Sequence, residues 1–95
     1  MEQIKFEWDE NKNKINQEKH KISFEEASTV FYDEAALVIG DPDHSSDEER
    51  FIILGLSLAA NLLVVCHCYR DEDEIIRIIS ARKATKTESN QYYKR

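Results

Sequence analysis

Cysteine is scarce in this chain, long apolar runs are missing, and basic residues are outnumbered. Only two of the 95 residues are cysteine, Cys66 and Cys68, and a pair two apart is not a disulfide framework. No apolar run reaches the ~18–20 residues that a membrane span needs. The opening Met1-Glu2-Gln3-Ile4-Lys5 lacks the apolar stretch of a signal peptide. These absences lead us to expect a cytoplasmic protein with reduced thiols and no membrane contact. With 2 glycines and 1 proline, the chain has no repeat, linker or low-complexity segment. Lys and Arg number 13 against 19 Asp and Glu, a net charge of −6, which argues against a nucleic-acid coat basic on all sides.

At 41% hydrophobic residues the chain can bury a core, and its length predicts a single domain over 1–95. The charge is unevenly placed. Residues 1–49 carry 5 lysines and 14 acids, a sum of −9, whereas residues 50–95 carry 8 basic and 5 acidic side chains, a sum of +3. From Ile75 onward the count is 6 basic to 1 acidic. That asymmetry suggests a basic working surface on an acidic body.

Ile4–Trp8 alternates apolar and polar residues, the period of a half-buried strand. Asp9 is a helix cap for a polar helix over 10–19, which has little apolar face beyond Ile15 and should lie on the surface. Ser23-Phe24-Glu25-Glu26 is a capping box, in which the Glu26 carboxylate is expected to reach back to the Ser23 amide. Phe24, Ala27, Val30 and Phe31 then share one helical face that should dock on a sheet. Ala35–Ile39 reads as a short strand, followed by a polar loop over 41–49. Three longer strands follow, Arg50–Leu58, Leu62–Arg70 and Ile75–Arg82, with connections short enough for antiparallel hairpins. Thr85-Lys86-Thr87-Glu88 is a second capping box and should start a short C-terminal helix.

Symmetric closure of the first hairpin sets Leu58 against Leu62 and Arg50 against Arg70. Symmetric closure of the second sets Arg70 against Ile75 and Arg77 against Cys68. Alternation then gathers Arg50, Arg70 and Arg77 on one face at one end of the sheet. Like charges opposed across strands are destabilising unless an anion completes them, and guanidinium groups fork onto phosphate. On the same registers Leu63, Val65, Ile76 and Ile78 point one way, and Val64, Cys66, Ile79 and Ala81 the other. The cysteines of Cys66-His67-Cys68 face away from the imidazole between them, so a metal site is not expected, nor is a cofactor.

Several strings resemble the BrnT family of type II toxin–antitoxin toxins: Phe6-Glu7-Trp8-Asp9, Asn16 with Lys19-His20, Ser23-Phe24-Glu25-Glu26-Ala27, Asp41-Pro42-Asp43-His44, Glu49-Arg50, and Ile76-Arg77-Ile78-Ile79-Ser80-Ala81-Arg82-Lys83-Ala84-Thr85. The resemblance spans Phe6 to Glu88. It implies an α+β, RelE-like fold, an antiparallel sheet of about four to five strands with two N-terminal helices and a short C-terminal helix. It also implies a ribonuclease that inhibits translation, neutralised by a BrnA-like antitoxin with a ribbon-helix-helix domain, in a hetero-oligomer that meets operator DNA through the antitoxin. Where many members read aromatic-Thr-acid-Arg, this chain reads His67-Cys68-Tyr69-Arg70, with no acid to serve as a base.

RNA cleavage through the 2′-hydroxyl needs a base, cations that steady the phosphorane and an acid for the leaving oxygen. Arg50, Arg70 and Arg77 are the candidate phosphate holders; as plain strand-end arginines they would instead pair with acids of 71–74. His44 and Glu49 are the candidate proton-transfer groups, with an exposed loop histidine and an arginine-positioning glutamate as the alternatives. Arg82 and Lys83 are candidates for RNA or antitoxin contact, or a solvated face. His67 is either a packed strand histidine or a site residue, and Tyr92 with Tyr93 either stacks on bases or lies in a frayed terminus. The rival function is a non-catalytic binding module that acts with its antitoxin as a transcriptional corepressor.

Overall fold

The structure, a computed structural model, describes residues 3–41 and 49–94. Its strands are β1 (Lys5–Glu7), β2 (Leu37–Gly40), β3 (Phe51–Leu56), β4 (Leu62–Arg70) and β5 (Ile75–Lys83), and its helices α1 (Glu10–His20), α2 (Phe24–Ser28) and α3 (Lys86–Tyr93). The helix predicted from Ser23 stops at Ser28 and continues as a 3-10 turn, Thr29–Tyr32. It still buries Phe24, Ala27 and Val30 as expected.

The sheet runs β1-β5-β4-β3-β2. It is mixed rather than antiparallel: β1 lies parallel to β5, pairing Lys5 with Ile75 and Glu7 with Arg77. Short hairpins force consecutive strands antiparallel, but β1 and β5 are joined through the whole chain, so no turn fixes their relative direction. One face, the inner face, packs Ile53, Leu63, Val65, Ile78 and Ala81 against Ile22, Phe24, Ala27 and Val30. The opposite, outer face is covered at one end by α3, where Leu54 and Val64 meet Tyr92.

Two registers bear on the site. β4 and β5 pair Arg70 with Ile75 and Cys68 with Arg77, as the symmetric hairpin predicts. Further along, Cys66 pairs with Ser80 and His67 with Ile78, so Ile79 is a bulge. The extra residue moves Ala81 to the inner face, against its expected side. The β3–β4 hairpin differs more. Leu56, not Leu58, faces Leu62, because the connection takes five residues, Ser57–Asn61. The Ser57 amide donates to Asn61 O at 2.9 Å and the Ala60 amide to Ser57 O at 2.9 Å, with Ala60 left-handed at φ 63°. Leu58 is consequently 87% exposed.

α1 docks through asparagine and not through Ile15, which is 60% exposed. β1 pairs only with Ile75–Arg77, so the rest of the β5 edge needs another partner. Asn16 supplies it. Its Nδ2 donates to Ala81 O and Ile22 O, both at 2.8 Å, and its Oδ1 accepts from the Ala81 amide at 3.1 Å. Asn13 joins α1 to α2 by accepting from the Phe24 amide at 2.9 Å and donating to Glu25 at 3.0 Å. The Ser23 capping box is half built: Ser23 Oγ accepts from the Glu26 amide at 3.0 Å. The Glu26 carboxylate turns instead to Ser57 Oγ at 2.6 Å and Asn61 Nδ2 at 2.8 Å, clamping the hairpin turn to α2. The Thr85–Glu88 box is complete.

Candidate functional site

On the outer face, beyond the end covered by α3, lies an open groove of about 380 Å³. Its floor is Ile52 of β3, Val64 and Cys66 of β4 and Ile79 and Ser80 of the β5 bulge. Lys19 and His20, at the end of α1, line it together with Asp41, Arg50 and Arg82. Asn16 explains why a helix end stands beside the sheet: the edge lock to Ala81 carries the last turn of α1 up to the rim. The helix stops there because Lys21 is left-handed, φ 63°, its amide closing on Gln17 O at 3.0 Å. Among the described residues, four basic side chains thus meet one carboxylate. That carboxylate, Asp41, is buried, and its amide donates to Arg50 O at 2.9 Å.

The arginines are not equivalent. Extending the β3–β4 register by one residue sets Arg50 beside Cys68 and not opposite Arg70, because of the two-residue hairpin shift. Alternation still places Arg50, Arg70 and Arg77 on the outer face, in line with Cys68. Arg77 is paired with Glu7 at 2.6 Å, across the parallel β1–β5 register rather than with the 71–74 turn. Arg82 forks onto Glu88 at 2.8 and 2.9 Å. That fork, with the Thr85 amide, holds the Glu88 carboxyl down at about 2. In the groove floor, burial pushes the Cys66 thiol up, and Asp41 adds to the effect against Arg50. Burial thus favours the neutral thiol at Cys66 over the thiolate.

Other predicted site residues lie elsewhere. Glu49 is on the inner side, lining a cleft with Phe51, Tyr69 and Asp73. His67 is fully buried on the inner face, 4.8 Å from the Phe31 ring centroid, and cannot reach RNA in this packing. Tyr92 is buried too, its hydroxyl donating to Asp33 at 2.6 Å, so it anchors α3 and offers no free face for stacking. Gly55 allows the segment carrying Asp33 to come this close: a Cβ there would sit 3.0 Å from Ala36 Cβ. Lys83 is exposed beyond the groove. His44 lies outside the described residues. As strand alternation predicts, Cys66 and Cys68 turn toward the outer face and the His67 imidazole inward. Lys19, His20 and Asp41 carry no site role in the local sequence pattern. A signal was available, since all three stand in strings that carry the family resemblance.

Residues 8–88 match the family model described as the ribonuclease toxin BrnT of type II toxin–antitoxin systems. The chain belongs to the BrnT family. Its fold is similar to the crystal structure of the Brucella abortus ribonuclease toxin BrnT, with a TM-score of 0.68 over 88% of this chain and 100% of that one, at 23% sequence identity. No curated protein matches the chain. Membership of a toxin–antitoxin family implies an antitoxin partner. Among the described residues no helix is long and apolar enough to cross a membrane.

Proposed function

We propose that this BrnT-family chain is a metal-independent, sequence-tolerant endoribonuclease that inhibits translation, with the scissile phosphate bound on the outer face. The observation that carries the reading is the basic groove of Lys19, His20, Arg50 and Arg82, continued by Arg70 and Arg77 along the same face. Arg50 is the central phosphate ligand, since Arg77 and Arg82 are already engaged by Glu7 and Glu88. An incoming phosphate competes with those two carboxylates and recruits their arginines. The attacking 2′-hydroxyl gives its proton to a base, the phosphorus–5′-oxygen bond breaks, and an acid protonates the leaving oxygen. His20, in the groove, and His44, in the stretch 41–49 that the sequence reads as a polar loop, are the imidazoles assigned to these transfers. Glu49 faces the other way and is not.

The chain 1–95 acts as one RelE-like toxin domain in the cytoplasm. A BrnA-like antitoxin with a ribbon-helix-helix domain neutralises it in a hetero-oligomer, and that complex alone meets operator DNA. The test uses purified toxin, free of antitoxin, with total RNA and a chelator. Cleavage should persist, leave 2′,3′-cyclic phosphate and 5′-hydroxyl ends, and vanish in Arg50→Ala and Arg70→Ala proteins that stay folded. A 5′-phosphate product would defeat the 2′-hydroxyl route. The second reading is a non-catalytic corepressor. It is favoured by the paired state of Arg77 and Arg82 and by Tyr69 standing where many members have an acid. Tight antitoxin binding with no cleavage of any RNA would establish it.

A further inference from the structure

The inner face carries a second feature that RNA chemistry does not use. Glu49, Phe51, Tyr69 and Asp73 line an open cleft of about 580 Å³, and Tyr69 and Asp73 continue into a neighbouring hollow beside Lys5 and Glu74. The rings form one edge-to-face chain: Phe51 to Tyr69 at 5.3 Å, Tyr69 to His67 at 5.4 Å, His67 to Phe31 at 4.8 Å. Asp73 lies near enough to the Tyr69 hydroxyl to help burial push its titration up.

Below the lining rings, His67 is fully buried, and its Nε2 is, among the described residues, the buried side-chain atom without a hydrogen-bond partner. Its Nδ1 lies 3.3 Å from Val65 O. A carbonyl oxygen only accepts, so Nδ1 must carry the proton and Nε2 is a bare acceptor. Burial holds the imidazole neutral by lowering its titration. The cleft therefore offers two carboxylates and two aromatic faces, and the unmet acceptor of His67 lies in the packed layer that the Tyr69 ring covers. Every one of these calls for a cationic donor, and arginine suits them best because it stacks on rings and forks onto carboxylates.

We infer that this cleft receives an arginine side chain of the antitoxin, its guanidinium stacked on Tyr69 and paired with Glu49 and Asp73. A small turn of the part-exposed Tyr69 ring then opens Nε2 of His67 to one of the guanidinium N–H groups. The inference rests on the antitoxin partner that family membership implies and is independent of the RNA mechanism.

The test has two arms. In the first, acetyl-arginine amide is titrated into 15N-labelled toxin while the His67 imidazole nitrogens are followed by NMR. The Nε2 signal should move saturably, and the same titration of Asp73→Asn or Tyr69→Leu protein should weaken binding roughly tenfold. In the second, affinity for the intact cognate antitoxin should fall by a similar factor in Asp73→Asn, while RNA cleavage by the free toxin is unchanged. No saturable Nε2 shift, or antitoxin affinity equal in wild type and Asp73→Asn, would overturn the assignment. If that happens while Arg50→Ala still abolishes cleavage, the cleft fails and the groove reading stands. If cleavage is absent but Asp73→Asn loses antitoxin, the reverse holds.

Discussion

Glu49 and Arg50 are consecutive residues, yet one lines the acidic, aromatic cleft on the inner face and the other the basic groove on the outer face. Tyr69 and Arg70 divide in the same way, as do Ile76 and Arg77. The pleat of a strand sends neighbours to opposite faces, so a mixed stretch of sequence is sorted into two surfaces of opposite character. One surface suits an anion and the other a cation. A net charge of −6 describes neither. The two regions also differ in what holds them. The groove depends on a helix end delivered by Asn16, while the cleft is framed by a turn in which Asp71, Glu72 and Asp73 are all left-handed.

The largest effect that would separate the two faces is the loss of Arg50. Arg50→Ala should lower the rate of RNA cleavage by roughly a hundredfold or more, as removal of a charge-stabilising donor does, with unchanged far-UV circular dichroism. If the groove binds RNA through phosphate charge, binding by the wild type should weaken steeply with added salt. Next comes the lock that brings α1 to the groove. Asn16→Ala removes three buried hydrogen bonds, leaves the Ala81 amide and carbonyl unpaired, and should cost about 3 kcal/mol in urea unfolding. Tyr92→Phe breaks the bond to the Asp33 carboxylate that pins α3 at the other end of the outer face. We expect a loss of about 1–2 kcal/mol, read as a lower urea midpoint with the slope unchanged.

Two pH experiments probe the faces separately. Burial lowers the titration of His67, so the folded protein keeps it neutral while the unfolded chain binds a proton below about 6.5. Stability is complete above that pH and falls as the solution is acidified toward the lowered folded value, and His67→Leu should flatten this part of the profile. The Arg82–Glu88 pair has the smallest effect, because it is part-exposed and screened. Its contribution is present above about 4.5 and is lost as pH falls through about 2, so Glu88→Gln should differ from wild type by only tenths of a kcal/mol at pH 7 and converge with it in acid.

Much of this arrangement is legible in the strings themselves. Alternation identifies the strands, the Thr85–Glu88 box starts α3 where predicted, and the four-residue connection sets Arg70 against Ile75 and Arg77 against Cys68. The first hairpin is misread because Ser57 and Asn61 belong to the turn, and nothing local says that Glu26 from α2 holds them there. Ala81 is misplaced because a bulge at Ile79 leaves no mark in an apolar run. His67 looks the same whether it faces a groove or a core, and only the rings around it decide.

The family, the order of strands and helices, and the supply of basic residues late in the chain are fixed by sequence, because period, caps and turn lengths act over a few residues. The direction of β1, the seat of α1 and the partner of each arginine belong to the tertiary structure. They turn on contacts between residues as far apart as Glu7 and Arg77, or Asn16 and Ala81, and no local rule relates such pairs. The same packing decides that an acidic chain presents a basic groove, since it sets the lysine and histidine ending α1 beside arginines that arrive many residues later.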